Sequence, residues 1–248
     1  MFTRAVLTFA ALLACSVLLR AQEGTPRIWQ GVYTEAQAER GKGVFLTACV
    51  RCHGPDLAGT TAPPLKGDRF QSSWGGDTIE SLFGKIRDTM PPNFGTMLDD
   101  QSKLDIVTFI LRTNGFPAGP SELALASADL ANAQILRKGE QASVQNFSLI
   151  QTVGCLASGP DGAWMLTRTA EPLTTRDETP NERSLTSSAA RPLGSRTYRL
   201  ISVTPFDPES HAGLKMEARG LVYTEPGDER INLTSLQPTG TGCGELRE

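Results

Sequence analysis

The chain has 248 residues, of which 39% are hydrophobic, so it is long enough to bury the cores of more than one globular domain. Its 24 basic and 27 acidic side chains give a formal net charge of −3. This acidic balance argues against the broad basic surface that sequence-independent nucleic-acid binding needs, and we expect no nucleic-acid partner.

Residues 1–21 are typical of a secretory signal peptide. Arg4 precedes a short apolar run, and small or polar residues follow the run. The run is shorter than the about 20 apolar residues of a membrane-spanning helix, so no transmembrane segment is expected. Cleavage after Ala21 gives a periplasmic or secreted protein, and the alternative is a lipoprotein anchored at Cys15, for which LLAC is a fair match.

Two unlike regions follow the signal peptide. Apolar residues have helical spacing over residues 22–116, whereas over residues 147–248 they form short alternating runs separated by turn residues. Prolines and small residues between them predict a linker over residues 117–146. We therefore predict an all-α domain followed by a small all-β barrel or sandwich.

Three helices are predicted in the first region. One begins at Thr34, where Gln37 completes a capping box, and runs directly into two cysteines. A second begins with Asp77 and Glu80 as a capping pair and has apolar residues along one face. A third begins at two aspartates in DDQS and stops at Asn114 and the glycine after it.

The stretch CVRCHG is the most informative part of the chain. Cys49 and Cys52 are three positions apart and His53 follows directly, which is the pattern of a c-type haem attachment site. Each thiol can form a thioether to one haem edge, and the imidazole can then reach the iron.

Two other interpretations of CVRCHG are weaker. A zinc site needs two further ligands, but the remaining cysteines of the mature chain are distant and His211 is the only other histidine. A thioredoxin-like redox dithiol normally follows a strand in a βαβ unit, whereas a helix is predicted directly before CVRCHG. A redox disulfide stays open as the runner-up.

Around this motif, the segments WQGVYTEAQAERG, APPLKGDRF, TMPP and NGFPAG make residues 28–117 similar to the small class I c-type cytochromes. The similarity is greatest to the cytochrome c domains that accompany bacterial quinoprotein dehydrogenases. The resemblance implies a cytochrome c fold and one covalent haem c, held by Cys49 and Cys52 with His53 on the iron. It also implies that the Pro63 carbonyl accepts a hydrogen bond from His53 and that Trp74 lies near the haem propionates, although an isolated tryptophan is as often plain core.

The second axial ligand has two candidates, Met90 in TMPPNFG and Met97 in GTMLDD. The resemblance favours Met90, because the family's axial methionine lies in the loop between the last two helices and usually precedes proline. Met97 comes just before a predicted helix, where an apolar residue more often packs locally.

The second region reads as about five short strands, in NFSLIQTVGCL, WMLTRT, TYRLISV, KMEARGLVY and INLTSL. Lys215, Glu217 and Arg219 alternate with small or apolar residues, which indicates a two-faced strand. The arrangement weakly resembles an OB-like barrel. The polar residues 170–195 are predicted to form a long disordered loop.

Cys155 and Cys243 lie at opposite ends of this second region. In an oxidising compartment two leftover cysteines most simply pair, and we predict a disulfide between them. The alternative is two free buried thiols.

Two functions follow from these features. The first is a mono-haem electron carrier between a dehydrogenase and a respiratory acceptor. The resemblance suggests a quinoprotein dehydrogenase, and the β-domain would be a docking module for the partner. The second is a haem-containing binding or sensor module in which the β-domain gates or uses the haem. No residue beside the motif reads as a catalytic acid or base, so an enzyme is not expected.

Overall fold

The computed structural model describes residues 26–92, 97–159, 161–225 and 227–244. The predicted signal peptide, including Cys15, lies outside them. A helical region comes first and a sheet-rich region follows it. Within the described residues, every helix is too short or too polar to cross a lipid bilayer.

The described part of the helical region contains six α-helices: α1 Glu35–Ala48, α2 Val50–His53, α3 Gly67–Trp74, α4 Ile79–Thr89, α5 Asp100–Thr113 and α6 Ala128–Asn132. Side chains cap the longer ones as their sequences predict, with Thr34 accepting from the Gln37 amide and Asp99 from the Ser102 amide. The cap of α4 differs from the prediction. Thr78, not Asp77, accepts from the Ser81 amide, and Asp77 pairs with an arginine instead.

Helices α1 and α5 pack closely at Gly41. A Cβ atom on this residue would lie 1.8 Å from the carbonyl oxygen of Asp105, so only glycine lets the two backbones approach this far. Gly43 lies two residues further along α1, and a Cβ atom on it would have no neighbouring atom within 4 Å. The crossing therefore places the end of α1, and the CVRCHG motif after it, against the helical core.

Part of the predicted linker belongs to that core, which corrects the prediction of a linker over all of residues 117–146. Leu123, Leu130 and Ile135 are buried in the same apolar cluster as the helices. The physical reason is that the segment carries isolated apolar residues without helical periodicity, and these pack on helices distant in sequence. Residues 137–147 are exposed except for Val144, which is half-buried.

Where the structure describes the sheet-rich region, it has six strands: β1 Leu149–Ser158, β2 Trp164–Thr169, β3 Leu173–Thr174, β4 Arg196–Ile201, β5 Leu214–Glu225 and β6 Asp228–Gly242. The five predicted strands are all present, and β3 is additional. Strand β1 pairs with β2, β3 and β5, and the order continues from β2 through β4 and β6 to β5. Five strands thus pair in a closed cycle around an apolar cluster that includes Tyr198, Met216 and Ile231. Among the strand pairs within the described part of this sheet, β4–β6 alone is parallel.

Residues 170–195 are ordered, contrary to the predicted disordered loop. They contain β3 and a seventh helix, α7 Glu182–Ala190, which Asn181 caps by accepting from the Ser184 amide. This helix lies over the sheet, and its serines Ser184 and Ser188 are buried. Polar contacts rather than an apolar stripe hold it, which is why the sequence pattern did not indicate it.

The charged face of β5 is buried beneath α7. Lys215 donates to the carbonyl oxygens of Ala189 and Arg191 at the end of α7, at 2.7 and 2.6 Å. Arg219 is 1% exposed and pairs at 3.0 Å with Glu217, which is fully buried. Lysine at a helix C-terminus satisfies carbonyl groups that have no partner within the helix.

Cys155 and Cys243 form a disulfide, with their Cα atoms 5.8 Å apart. The bond joins β1 to the residue after β6, across a sequence separation of 88 residues. It therefore ties the first strand of the sheet-rich region to the last.

Candidate functional site

The CVRCHG motif forms the short helix α2 at the end of α1. The amide of Cys49 donates to Phe45 O at 2.9 Å, and the amides of Cys52 and His53 donate to Cys49 O at 3.2 and 3.0 Å. These bonds put the two cysteines one helical turn apart. Both thiols are free, and Cys49 is partly buried whereas Cys52 is exposed.

The loop after α2 folds back beneath the motif. Gly54 and Gly59 have φ angles of 74° and 82°, values that glycine adopts readily and other residues rarely do. The amides of Thr60, Thr61 and Ala62 all lie within 3.2 Å of the Cys52 carbonyl oxygen. This tight loop brings the next residue, a proline, under the histidine ring.

The imidazole of His53 is oriented by the backbone. Its Nδ1 atom lies 3.0 Å from the carbonyl oxygen of Pro63. A carbonyl oxygen only accepts, so Nδ1 donates, and in the neutral ring the lone pair is then on Nε2. The geometry thus presents one basic nitrogen away from the loop, which is the arrangement expected of a metal-binding histidine.

The two methionine candidates differ in their surroundings. Met90 caps the end of α4, where its amide donates to Ile86 O at 3.1 Å, and its side chain is partly buried. Met97 is 74% exposed. Residues 93–96, which join the two stretches, lie outside the described residues.

Lys103 is a residue of this site that the sequence did not single out. Its side chain is buried on α5, and Nζ donates to the carbonyl oxygen of Arg87 at 3.1 Å, in the last turn of α4. This contact fixes the end of the helix that carries Met90. No local pattern identifies it, because the two residues meet only when α4 and α5 pack.

Trp74 ends α3 and packs, partly buried, against the helical core. The guanidinium of Arg176, from the sheet-rich region, lies 4.5 Å from the centre of its ring. The ring is therefore held between the helical core and a residue far away in sequence.

The chemistry of the donor set fits a covalently attached haem. Two free thiols one turn apart and a histidine oriented by a carbonyl meet the needs of attachment and of one axial ligand. Burial, with a smaller contribution from Cys52, raises the pKa of the Cys49 thiol to about 11, which disfavours this thiol as a nucleophile. Across the described ranges, no three His, Cys, Asp or Glu side chains come together as a metal-binding group.

Comparisons with known proteins find relatives of the helical region. A family model described as cytochrome c oxidase, cbb3-type, subunit III matches residues 36–110, which span α1 to most of α5. Cytochrome c-551 of Bacillus subtilis (strain 168) is 32% identical over 82 residues, a match that covers 32% of this chain and 67% of that protein.

Proposed function

Because this chain belongs to the c-type cytochromes, we propose that it carries single electrons on one covalent haem c, in the periplasm or outside the cell. The observation that carries the proposal is the contact between His53 Nδ1 and the Pro63 carbonyl, which leaves Nε2 available to iron beside two free thiols. When bound, the haem supplies an Fe(III)/Fe(II) couple.

Each residue of the motif has a separate task in this proposal. Cys49 and Cys52 form the thioethers, and His53 is the proximal iron ligand. The Pro63 carbonyl holds the imidazole in one orientation and makes it more basic. Met90 is the second axial ligand, and its thioether raises the redox potential relative to a second nitrogen ligand. Met97 is the alternative.

The sheet-rich region serves partner recognition in this proposal. The closed cycle of strand pairing supports a small barrel, and the parallel β4–β6 pair is compatible with an OB-like arrangement. The electron donor is a dehydrogenase, for which the resemblance points to the quinoprotein class, and the acceptor is respiratory. Reduction rates with the purified partner, measured with and without surface substitutions on the barrel, test the docking role.

A haem-linked sensor is the second candidate, and one observation favours it. Residues of the sheet-rich region contact α4, and Met90 lies at the end of α4. A movement of that region would therefore reach the proposed methionine ligand. Carbon monoxide binding by the reduced, intact protein distinguishes the two: a carrier with firm methionine ligation excludes it, and a gated haem admits it.

Haem attachment is tested first. We expect the exported protein to keep a haem-linked peroxidase stain on a denaturing gel, and Cys49→Ser or Cys52→Ser to lose most of the stained protein. Cys155→Ser with Cys243→Ser is the matched control, because these cysteines belong to the disulfide and the stain should remain. An unstained exported protein would overturn the proposal.

Methionine ligation is tested by substitution of each candidate. The oxidised protein should show the weak long-wavelength absorption band that a methionine–iron bond gives, and Met90→Ala should remove it. Met97→Ala is the control and should leave the band unchanged, since this side chain is 74% exposed. If only Met97→Ala removes the band, Met97 is the ligand.

Export and cleavage are tested on the mature protein. N-terminal sequencing should begin at Gln22, directly after the predicted cleavage at Ala21. A lipid-modified N-terminus at Cys15 would instead establish the lipoprotein alternative.

A further inference from the structure

Arg176 joins the sheet-rich region to the helical region. Besides stacking on the Trp74 ring at 4.5 Å, it forms an ion pair of 2.6 Å with Asp77 and donates to the carbonyl oxygen of Ser73. A planar guanidinium suits this combination of stacking and forked hydrogen bonding, and lysine does not. One side chain thereby contacts the last two residues of α3 and Asp77 in the turn that follows it.

Arg183, in the first turn of α7, repeats this pattern on the neighbouring helices. Its guanidinium lies 5.4 Å from the centre of the Phe83 ring on α4 and 3.2 Å from the Asp100 carboxylate at the start of α5. We refer to Arg176 and Arg183 together as the arginine clamp. Arginine and large aromatic side chains are the residue types that most often anchor stable protein interfaces.

Backbone contacts support the arginine clamp. Thr174 of β3 pairs with Asp77 as a parallel bridge, and its hydroxyl donates to the carbonyl oxygen of Gly76. Gly76 is also fixed from the other side, because its amide donates to Ile135 O at 2.9 Å. The turn between α3 and α4 is therefore bonded on one side to Ile135, at the end of the helical region, and on the other side to Thr174 of the sheet-rich region.

The path of the chain favours contact within one molecule. Ile135, which is hydrogen-bonded to Gly76, lies two residues before the mostly exposed residues 137–147, and these lead to β1. Thr174, on the strand that pairs with β1, is bonded to Gly76 as well. The connecting segment thus leaves the helical region close to the place where Thr174 of the sheet-rich region contacts it. The sheet-rich region of the same molecule can therefore make the contacts of the arginine clamp, and no second copy is needed.

We propose that the arginine clamp fixes the two regions of one chain to each other, so that they stay associated even without the covalent connection. The partner that contacts the Phe83 side of α4 is then this chain's own segment from Thr174 to Arg183. The sheet-rich region does not move freely relative to the helical region, and an external partner meets both in one fixed arrangement. The proposal does not depend on haem.

The test cuts the connection in the otherwise intact protein. A protease recognition sequence is inserted between Gln141 and Ala142, which are both exposed. After cleavage and dilution, size-exclusion chromatography with mass measurement should give one species containing one copy of each half. Arg176→Ala with Arg183→Ala should weaken the association of the halves by about 100-fold or more, and Arg176→Lys should weaken it less.

Arg199→Ala is the matched control, because this arginine is exposed on β4 and has no ion pair in the part of the chain that the structure describes. Its cleaved halves should associate as in the unsubstituted protein. Separation of the unsubstituted halves would overturn the proposal, and so would a species of twice the expected mass, which indicates exchange between two copies. Halves of the double variant that associate as tightly as the control would overturn the role of the two arginines. Because the readout is mass, loss of haem does not imitate any of these results.

Discussion

In the helical region, α1 and α5 meet through a glycine, whereas in the sheet-rich region a buried arginine holds α7 and its neighbouring loop to the sheet. Gly41 lets two backbones touch, and its contribution depends on shape alone. Arg219 donates to Glu217, to Ser184 and to the carbonyl oxygen of Asp177. The first contact is sensitive to one added carbon atom, and the second is sensitive to the loss of one charge.

The largest effect is expected from Arg219→Met. This change removes the guanidinium and leaves the carboxylate of Glu217 buried without its partner, so the free energy of unfolding should fall by about 3–5 kcal/mol. Denaturant unfolding monitored in the far ultraviolet measures it. Adding Glu217→Leu should recover most of the loss, since no uncompensated charge remains, whereas Arg199→Met on the exposed face should cost less than about 0.5 kcal/mol. A small loss for Arg219→Met alone would show that the pair does not hold the layers.

A smaller loss is expected from Gly41→Ala. The new methyl group would lie 1.8 Å from a backbone oxygen, so α1 and α5 must move apart, and we expect about 1–3 kcal/mol of destabilisation. Gly43→Ala is the control on the same helix, where the space is open and the better helix propensity of alanine should stabilise by up to about 1 kcal/mol. Equal melting temperatures for the two variants would contradict the close approach.

The smallest effect is expected at the border of the two regions, from Glu80→Gln. Burial raises the pKa of Glu80 in the folded protein, although Arg219 and Arg183 partly oppose this. An ionised Glu80 therefore opposes folding at neutral pH. This penalty disappears as the pH falls below 4.5, the ordinary pKa of a glutamate side chain. The variant should melt above the unsubstituted protein at neutral pH, and the difference should vanish in acid. Glu182→Gln, an exposed substitution in the first turn of α7, should not show this pH dependence.

Local signals account for what the sequence predicted well. The spacing of Cys49, Cys52 and His53, the cap at Thr34 and the alternation along β5 each depend on residues within one turn or one strand. Pro63 lies ten residues from His53, and only the family resemblance indicated it.

Long-range contacts account for what the sequence did not predict. The serine-rich helix α7 has no strong apolar stripe, and it is ordered because Lys215 and Arg219 bind it from a strand more than 20 residues away. Asp77 is a residue type that often caps helices, but in the structure it forms an ion pair with Arg176 of the sheet-rich region. Lys103 likewise gains its role only when α4 and α5 pack. Such contacts form only in the assembled fold, and no periodic pattern in the sequence indicates them.

If the chain is exported as proposed, the disulfide of the sheet-rich region imposes an order on maturation. In a chain exported from its N-terminus, Cys49 and Cys52 emerge first, and Cys243 follows Cys155 by 88 residues. During that interval Cys155 has no correct partner, while two upstream thiols are available for exchange. The oxidants that close Cys155 to Cys243 also act on any free thiol pair. Under the proposed export and haem attachment, Cys49 and Cys52 would therefore have to stay reduced, or be bonded to haem already, until the last strand arrives.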